Sequence, residues 1–139
     1  MKITGIQTTS LTVPMIAPLR WSMGAETGTT RTLIRLQTDE GIVGLGETYG
    51  GASTAAAIKM AEPLLLGEDP LEVGRLWQKL TVYRCSYESH VPLYVYGGLE
   101  MACWDAAGKA LDRPVAARGL VCARRSAQRN PVRAQAGRG

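Results

Sequence analysis

His90 is the one histidine of the chain, so any imidazole chemistry, proton shuttling or metal ligation, rests on it alone. No second histidine, cysteine pair or helical carboxylate cluster stands near it at ligand spacing, and a loop or packing role is the expectation. Cys85, Cys103 and Cys122 are odd in number and widely spaced. That fits neither a disulfide framework nor a Cys-x-x-Cys metal site, and points to buried or free thiols in a reducing cytoplasm. Serine, histidine and aspartate all occur, but no Gly-x-Ser-x-Gly elbow presents a nucleophile. Gly41-x-x-Gly44-x-Gly46 departs from Gly-x-Gly-x-x-Gly, and no helix opens directly on it, so these read as strand glycines and not as a phosphate cradle. On these residues no catalytic group and no metal ligand is assigned. What remains is recognition: Trp21, Met23 and Tyr49 stand on loops, where amphipathic side chains either line a ligand pocket or pack beneath the loop.

The elements that position these residues follow from the pattern around them. Ile3 to Val13 is rich in Thr, Ile and Val and is broken by Pro14 and Pro18, which predicts a strand running into a long, mobile loop over 15–30. Residues 32–36 and 42–47 predict two more strands. Between them Asp39 and Glu40 suit αR positions and Gly41 the following αL position, a three-residue bulged hairpin turn. The simplest sheet is a three-stranded antiparallel meander. After it, Ser53 or Thr54 can cap a helix running to about Pro63. Asp69 and Pro70 supply a cap and first-turn proline for a second helix reaching about Tyr83, with Leu71, Leu76, Trp77 and Leu80 on its core face. A third helix is predicted from Pro92 to Leu111, with Tyr94, Gly97, Gly98, Met101, Trp104, Asp105, Gly108 and Leu111 recurring at helical steps. Its glycines each cost about 1 kcal/mol of helix propensity, which suggests that another backbone approaches closely. Asp105 and Lys109 are spaced for an i,i+4 ion pair.

Charge divides the chain. All twelve acidic residues precede Pro114, whereas Arg118, Arg124, Arg125, Arg129, Arg133 and Arg138 follow it. The basic excess therefore belongs to a tail over 115–139, whose Ala/Arg/Gly-rich composition predicts disorder. Such a tail can contact phosphates electrostatically, but it has no aromatic residue for stacking, and specific nucleic-acid recognition is not expected. No apolar run approaches the length needed to span a bilayer and no signal-peptide pattern opens the chain, so a soluble, cytoplasmic protein is the expectation.

Taken in order, the meander, Gly44-Leu45-Gly46-Glu47-Thr48-Tyr49, the three helices and Leu99-Glu100-Met101-Ala102-Cys103-Trp104-Asp105-Ala106-Ala107-Gly108-Lys109 with Arg113-Pro114 form one pattern. It resembles the N-terminal capping domain of the mandelate racemase/muconate lactonising group of the enolase superfamily, and looks nearest to its glucarate-type acid-sugar dehydratases. The resemblance covers residues 1 to about 115. It implies an α+β fold, a three-stranded antiparallel meander followed by a bundle of about three helices, that closes over a (β/α) barrel. In such enzymes a metal ion, Mg²⁺, stabilises the charge that develops when a Lys or His base takes the proton beside a carboxylate. A barrel needs roughly 250 residues, and the chain after Pro114 is far shorter.

Carried over residue by residue, the resemblance makes the loop at Trp21, Ser22, Met23 and Gly24 and the one at Tyr49, Gly50 and Gly51 the two substrate-specificity loops, with His90 and Tyr94 reaching toward the same pocket. The implied domain division is a capping domain over 1–114 and the tail over 115–139. The abrupt change of composition at that boundary predicts a frameshifted or truncated gene. The expected function is an inactive lid that acts on an acid-sugar or other carboxylate only with a barrel. The alternative is a stand-alone binding module that self-associates, as a homo-oligomer, or docks on a partner barrel.

Overall fold

The computed structural model describes residues 1–86 and 93–116, without the side chains of 81–86. Three strands, β1 (Ile3–Trp21), β2 (Gly24–Thr38) and β3 (Val43–Tyr49), form one antiparallel sheet in the order β1-β2-β3. Three helices follow, α1 (Ala52–Leu65), α2 (Val73–Ser86) and α3 (Leu93–Ala110). This is the α+β meander and helical layer expected. The β2–β3 turn is also as read: Gly41 takes φ 76°, and its N–H donates to the Thr38 carbonyl at 3.2 Å. The same turn is tied to the start of the chain. The terminal ammonium lies 2.9 Å from Glu40 Oε1, and the Lys2 N–H donates to Asp39 Oδ1 at 2.7 Å.

Side chains alternate across the sheet. Thr32, Ile34, Leu36 and Thr38 of β2 are buried on the helical side, while Leu33 and Arg35 between them are exposed on the other. The core joins Ile3, Ile34 and Leu36 to Ile58, Ala61 and Leu65 of α1, Val73, Leu76 and Leu80 of α2, and Val95, Leu99, Ala102 and Ala106 of α3. A Cβ at Gly44 would collide with the Ala102 carbonyl oxygen, and one at Gly46 with that of Gly98. The two strand glycines thus let the α3 backbone rest directly on β3.

The long loop expected over 15–30 is instead mostly strand. β1 continues to Trp21 and β2 starts at Gly24, opposite it, leaving Ser22-Met23 as the tip of a hairpin. The prolines are tolerated because β1 is an edge. The Ile6 N–H points away from β2 to Glu62 Oε1 at 3.2 Å, and Pro14 lies at the same parity, where its missing N–H removes no bond to β2. Pro18 falls within the register shift between Pro14 and Leu19. Since β3 ends opposite Arg31, the β1–β2 pair runs on past it as a two-stranded ribbon.

Three helix details differ from expectation. The N-cap of α1 is Gly51, with no side-chain cap hydrogen bond; Ser53 and Thr54 lie inside the first turn, where Thr54 Oγ1 donates back to the Gly50 carbonyl at 3.3 Å. Asp69 Oδ1 accepts the Leu71 N–H at 2.9 Å, but that turn precedes the helix, and α2 starts only at Val73. In α3 the buried face is Val95, Tyr96, Gly98, Leu99, Ala102, Cys103, Ala106, Ala107 and Gly108, whereas Tyr94, Met101 and Leu111 are exposed. Of the residues read from the sequence, Gly98 and Gly108 are buried against backbone as expected, whereas Tyr94, Met101 and Leu111 belong to the outer flank and a Cβ at Gly97 would meet nothing within 4 Å. Two interleaved sets at helical spacing exist in this segment, and the small residues are the ones the sheet requires.

Candidate functional site

The Trp104-Asp105-x-x-Gly108-Lys109 segment works on structure. Asp105 Oδ2 accepts the Leu45 N–H at 2.7 Å, Lys109 Nζ donates to the Val43 carbonyl at 2.8 Å, and the two side chains pair at 2.7 Å. Leu45 and Val43 present these backbone groups on the free side of β3, so α3 supplies what a fourth strand would.

An open groove forms farther along the same edge. Arg31 and Tyr49 are register partners, and the Arg31 guanidinium lies 5.2 Å from the Tyr49 ring centroid. Its Nε is 3.5 Å from Glu47 Oε1. Tyr94, from the first turn of α3, meets Tyr49 edge to face at 5.3 Å. The Thr48 hydroxyl, donating to the Tyr94 carbonyl at 2.8 Å, holds helix and strand in that relation. Gly50 donates to the Thr30 carbonyl at 3.0 Å, which turns the chain from β3 into α1 at Gly51. Together Arg31, Glu47, Tyr49, Tyr94, Glu100 and Met101 line an open groove. Two phenol rings flanked by a guanidinium and carboxylates can hydrogen-bond and orient a hydroxylated, charged small molecule.

Of the residues singled out from the sequence, Tyr49, Gly50, Gly51 and Tyr94 are thus brought together. Trp21, Ser22, Met23 and Gly24 are not with them. They form the exposed ribbon tip, Met23 at 90% exposure, and Gly24 lies seven positions before Arg31 on β2, a contour of about 23 Å at 3.3 Å per residue. His90 lies outside the described residues. Arg31, Glu47, Glu100 and Met101 were not anticipated. For Arg31 a signal exists: counting outward from the Asp39-Glu40-Gly41 turn leads from Gln37 opposite Val43 to Arg31 opposite Tyr49.

A three-stranded meander with a helical layer on one face and an aromatic groove where β3 meets the helices defines a capping-type α+β domain. The sequence profile described as "Mandelate racemase / muconate lactonizing enzyme, N-terminal domain" matches residues 4–117, and the chain belongs to this family. It is 42% identical over 85 residues to a D-xylonate dehydratase of Haloferax volcanii, covering 59% of this chain and 20% of that protein. To a D-galactonate dehydratase of Klebsiella pneumoniae it is 36% identical over 120 residues, 83% of this chain and 27% of the relative. An enolase from Pseudomonas fluorescens, solved with bound magnesium, potassium and tartrate, superposes with a TM-score of 0.67 at 26% identity, over 82% of this chain and 30% of that one. The chain thus spans 20% and 27% of the lengths of these two dehydratases.

Among the described residues no three of His, Cys, Asp and Glu come together as a group able to hold a metal ion. No helix among them is long and apolar enough to cross a membrane.

Proposed function

We propose that this chain is the substrate-specificity lid of a magnesium-dependent acid-sugar dehydratase, and that turnover requires a barrel domain. The supporting observation is the identity to two acid-sugar dehydratases, which covers only 20% and 27% of their lengths. In this reading the Tyr49 groove and the Trp21–Gly24 tip are two separate substrate-facing elements. The groove would orient the hydroxyls and carboxylate of an acid-sugar through Arg31, Tyr49 and Tyr94. The ribbon tip would fold over the bound substrate and exclude water, the usual work of a lid. The described residues do not fit a magnesium ion. A cytoplasmic location goes with this reading.

The test is a chimera in which residues 1–114 replace the corresponding lid of a D-galactonate dehydratase, assayed by release of the dehydrated keto acid across a panel of acid-sugars. The chimera is expected to turn over with an altered substrate ranking, while the 139-residue chain alone yields no product. A folded chimera with the parent's ranking unchanged, or product from the chain alone, would sink the proposal.

A further inference from the structure

We infer that two copies of this chain pair edge to edge along β1, antiparallel, through Thr8, Ser10 and Thr12, with a two-fold axis at Ser10. The direction in which the β1 backbone faces is fixed at Ile6. The Ile6 N–H donates away from β2 to Glu62, so in an extended strand Thr8, Ser10, Thr12 and Pro14 also turn their backbone groups outward. Gly5, Gln7, Thr9, Leu11 and Val13 face β2, where they are paired with Gln37, Arg35, Leu33, Arg31 and Thr29.

Within the three-stranded part of the sheet, other outward backbone groups are held by neighbours. Asp105 and Lys109 bond Leu45 and Val43 on β3. At the start of β1, Ile3 donates to the Glu68 carbonyl and accepts from the Gly67 N–H, each at 2.9 Å. Only then comes a stretch, Thr8 to Thr12, whose outward N–H and C=O groups meet no partner among the described residues. Pro14, at the next outward position, has no N–H and ends the stretch. The available ladder is therefore bounded by Glu62 on one side and by proline on the other.

The residues inside that window favour a second copy over a charged partner. No charged residue stands between Lys2 and Arg20, whereas natural edge strands commonly carry an inward-pointing or flanking charge that blocks such pairing. In an isologous contact each residue meets its two-fold mate, and like charges would oppose. Here Thr8 falls opposite Thr12 of the second copy and Ser10 opposite its own equivalent on one face, with Thr9 opposite Leu11 on the other. Short polar and β-branched side chains at such positions pair well across strands. Leu11 and Leu33 already stand exposed on the outer face, and the joined sheet would make that face continuous across both copies.

The contact is read by amide hydrogen exchange at rising protein concentration, alongside sedimentation equilibrium of the 139-residue chain. The expected result is a reversible dimer, with exchange at Thr8, Ser10 and Thr12 slowing as the dimer forms while Thr9 and Leu11, already bonded to β2, change little. Ser10→Pro deletes only an outward N–H and is expected to raise the dimer dissociation constant about tenfold or more with the circular dichroism unchanged. Leu45→Ser, on the outer face, leaves that constant unaltered. A chain monomeric at all concentrations, or a dimer whose Thr8, Ser10 and Thr12 amides stay unprotected, overturns the inference. So does a dimer abolished by Leu45→Ser and indifferent to Ser10→Pro, which would place the contact on the sheet face.

Discussion

Asp105 and Lys109 are spaced for an i,i+4 pair worth a few tenths of a kcal/mol, yet their larger contribution is to β3. Each side chain also satisfies one backbone group of the sheet edge. Asp105→Ala is accordingly expected to destabilise the domain by about 1–2 kcal/mol, well beyond a surface ion pair, in urea unfolding followed by circular dichroism. Thr32 offers the opposite case: it is fully buried, and its hydroxyl has no hydrogen-bond partner among the described residues. Thr32→Val keeps the shape and removes the unmet hydroxyl, and should raise stability by about 1 kcal/mol in the same assay. Glu62 and Glu68 contribute to the pH dependence on the acid side. Hydrogen bonding from Lys59 lowers the Glu62 carboxyl below its ordinary value of 4.5, with Ile6 assisting, and hydrogen bonding from Lys79 does the same for Glu68. A carboxylate depressed in the folded state binds its proton less readily than in the unfolded chain. Its stabilisation is complete above about pH 4.5 and is lost as the pH falls through the lower, folded value. Melting temperatures measured from pH 6 to pH 3 should fall less steeply for Glu62→Gln than for the wild type; equal slopes would remove Glu62 as the cause.

At the scale of elements the decisive contact is that of α3 with β3. Gly46→Ala places a methyl against the Gly98 carbonyl and Ala102, where backbone and not a flexible side chain must yield. A loss of about 2 kcal/mol or more is expected on thermal or urea unfolding. Gly97→Ala, where an added Cβ meets nothing within 4 Å, should instead be neutral to stabilising by up to about 1 kcal/mol. The turn at Asp39-Glu40-Gly41 and the alternation of β2 are legible from the chain because both are local relations. The ribbon is not, because glycines and prolines interrupt the local strand signal over 15–30, and only the edge position of β1 makes Pro14 harmless. The same limit applies to α3. Its two interleaved stripes are equally helical, and a choice between them needs knowledge of the surface that approaches.

For the whole molecule, the ribbon beyond Arg31 lacks a third strand and a covering helix, and a two-stranded ribbon is marginal in water. Its amides past Pro14 and before Gly28 should exchange orders of magnitude faster than those of Ile34 and Leu36, in the monomer as in the dimer. Equal protection would mean that the tip is ordered without a substrate or barrel to close on. The chain's own chemistry suffices to determine the element types outside the ribbon, the bulged turn, the family pattern from Gly44 to Pro114, and Tyr49 as a candidate for recognition, because periodicity, turn residues and spacing act over a few neighbouring positions. Tertiary structure alone decides that Tyr94 and Arg31 join Tyr49, that the Trp21 tip stands apart from them, and that Asp105 and Lys109 serve the sheet edge. Those outcomes depend on which strand ends where and which helix face meets it, relations between segments distant in sequence that no local pattern encodes.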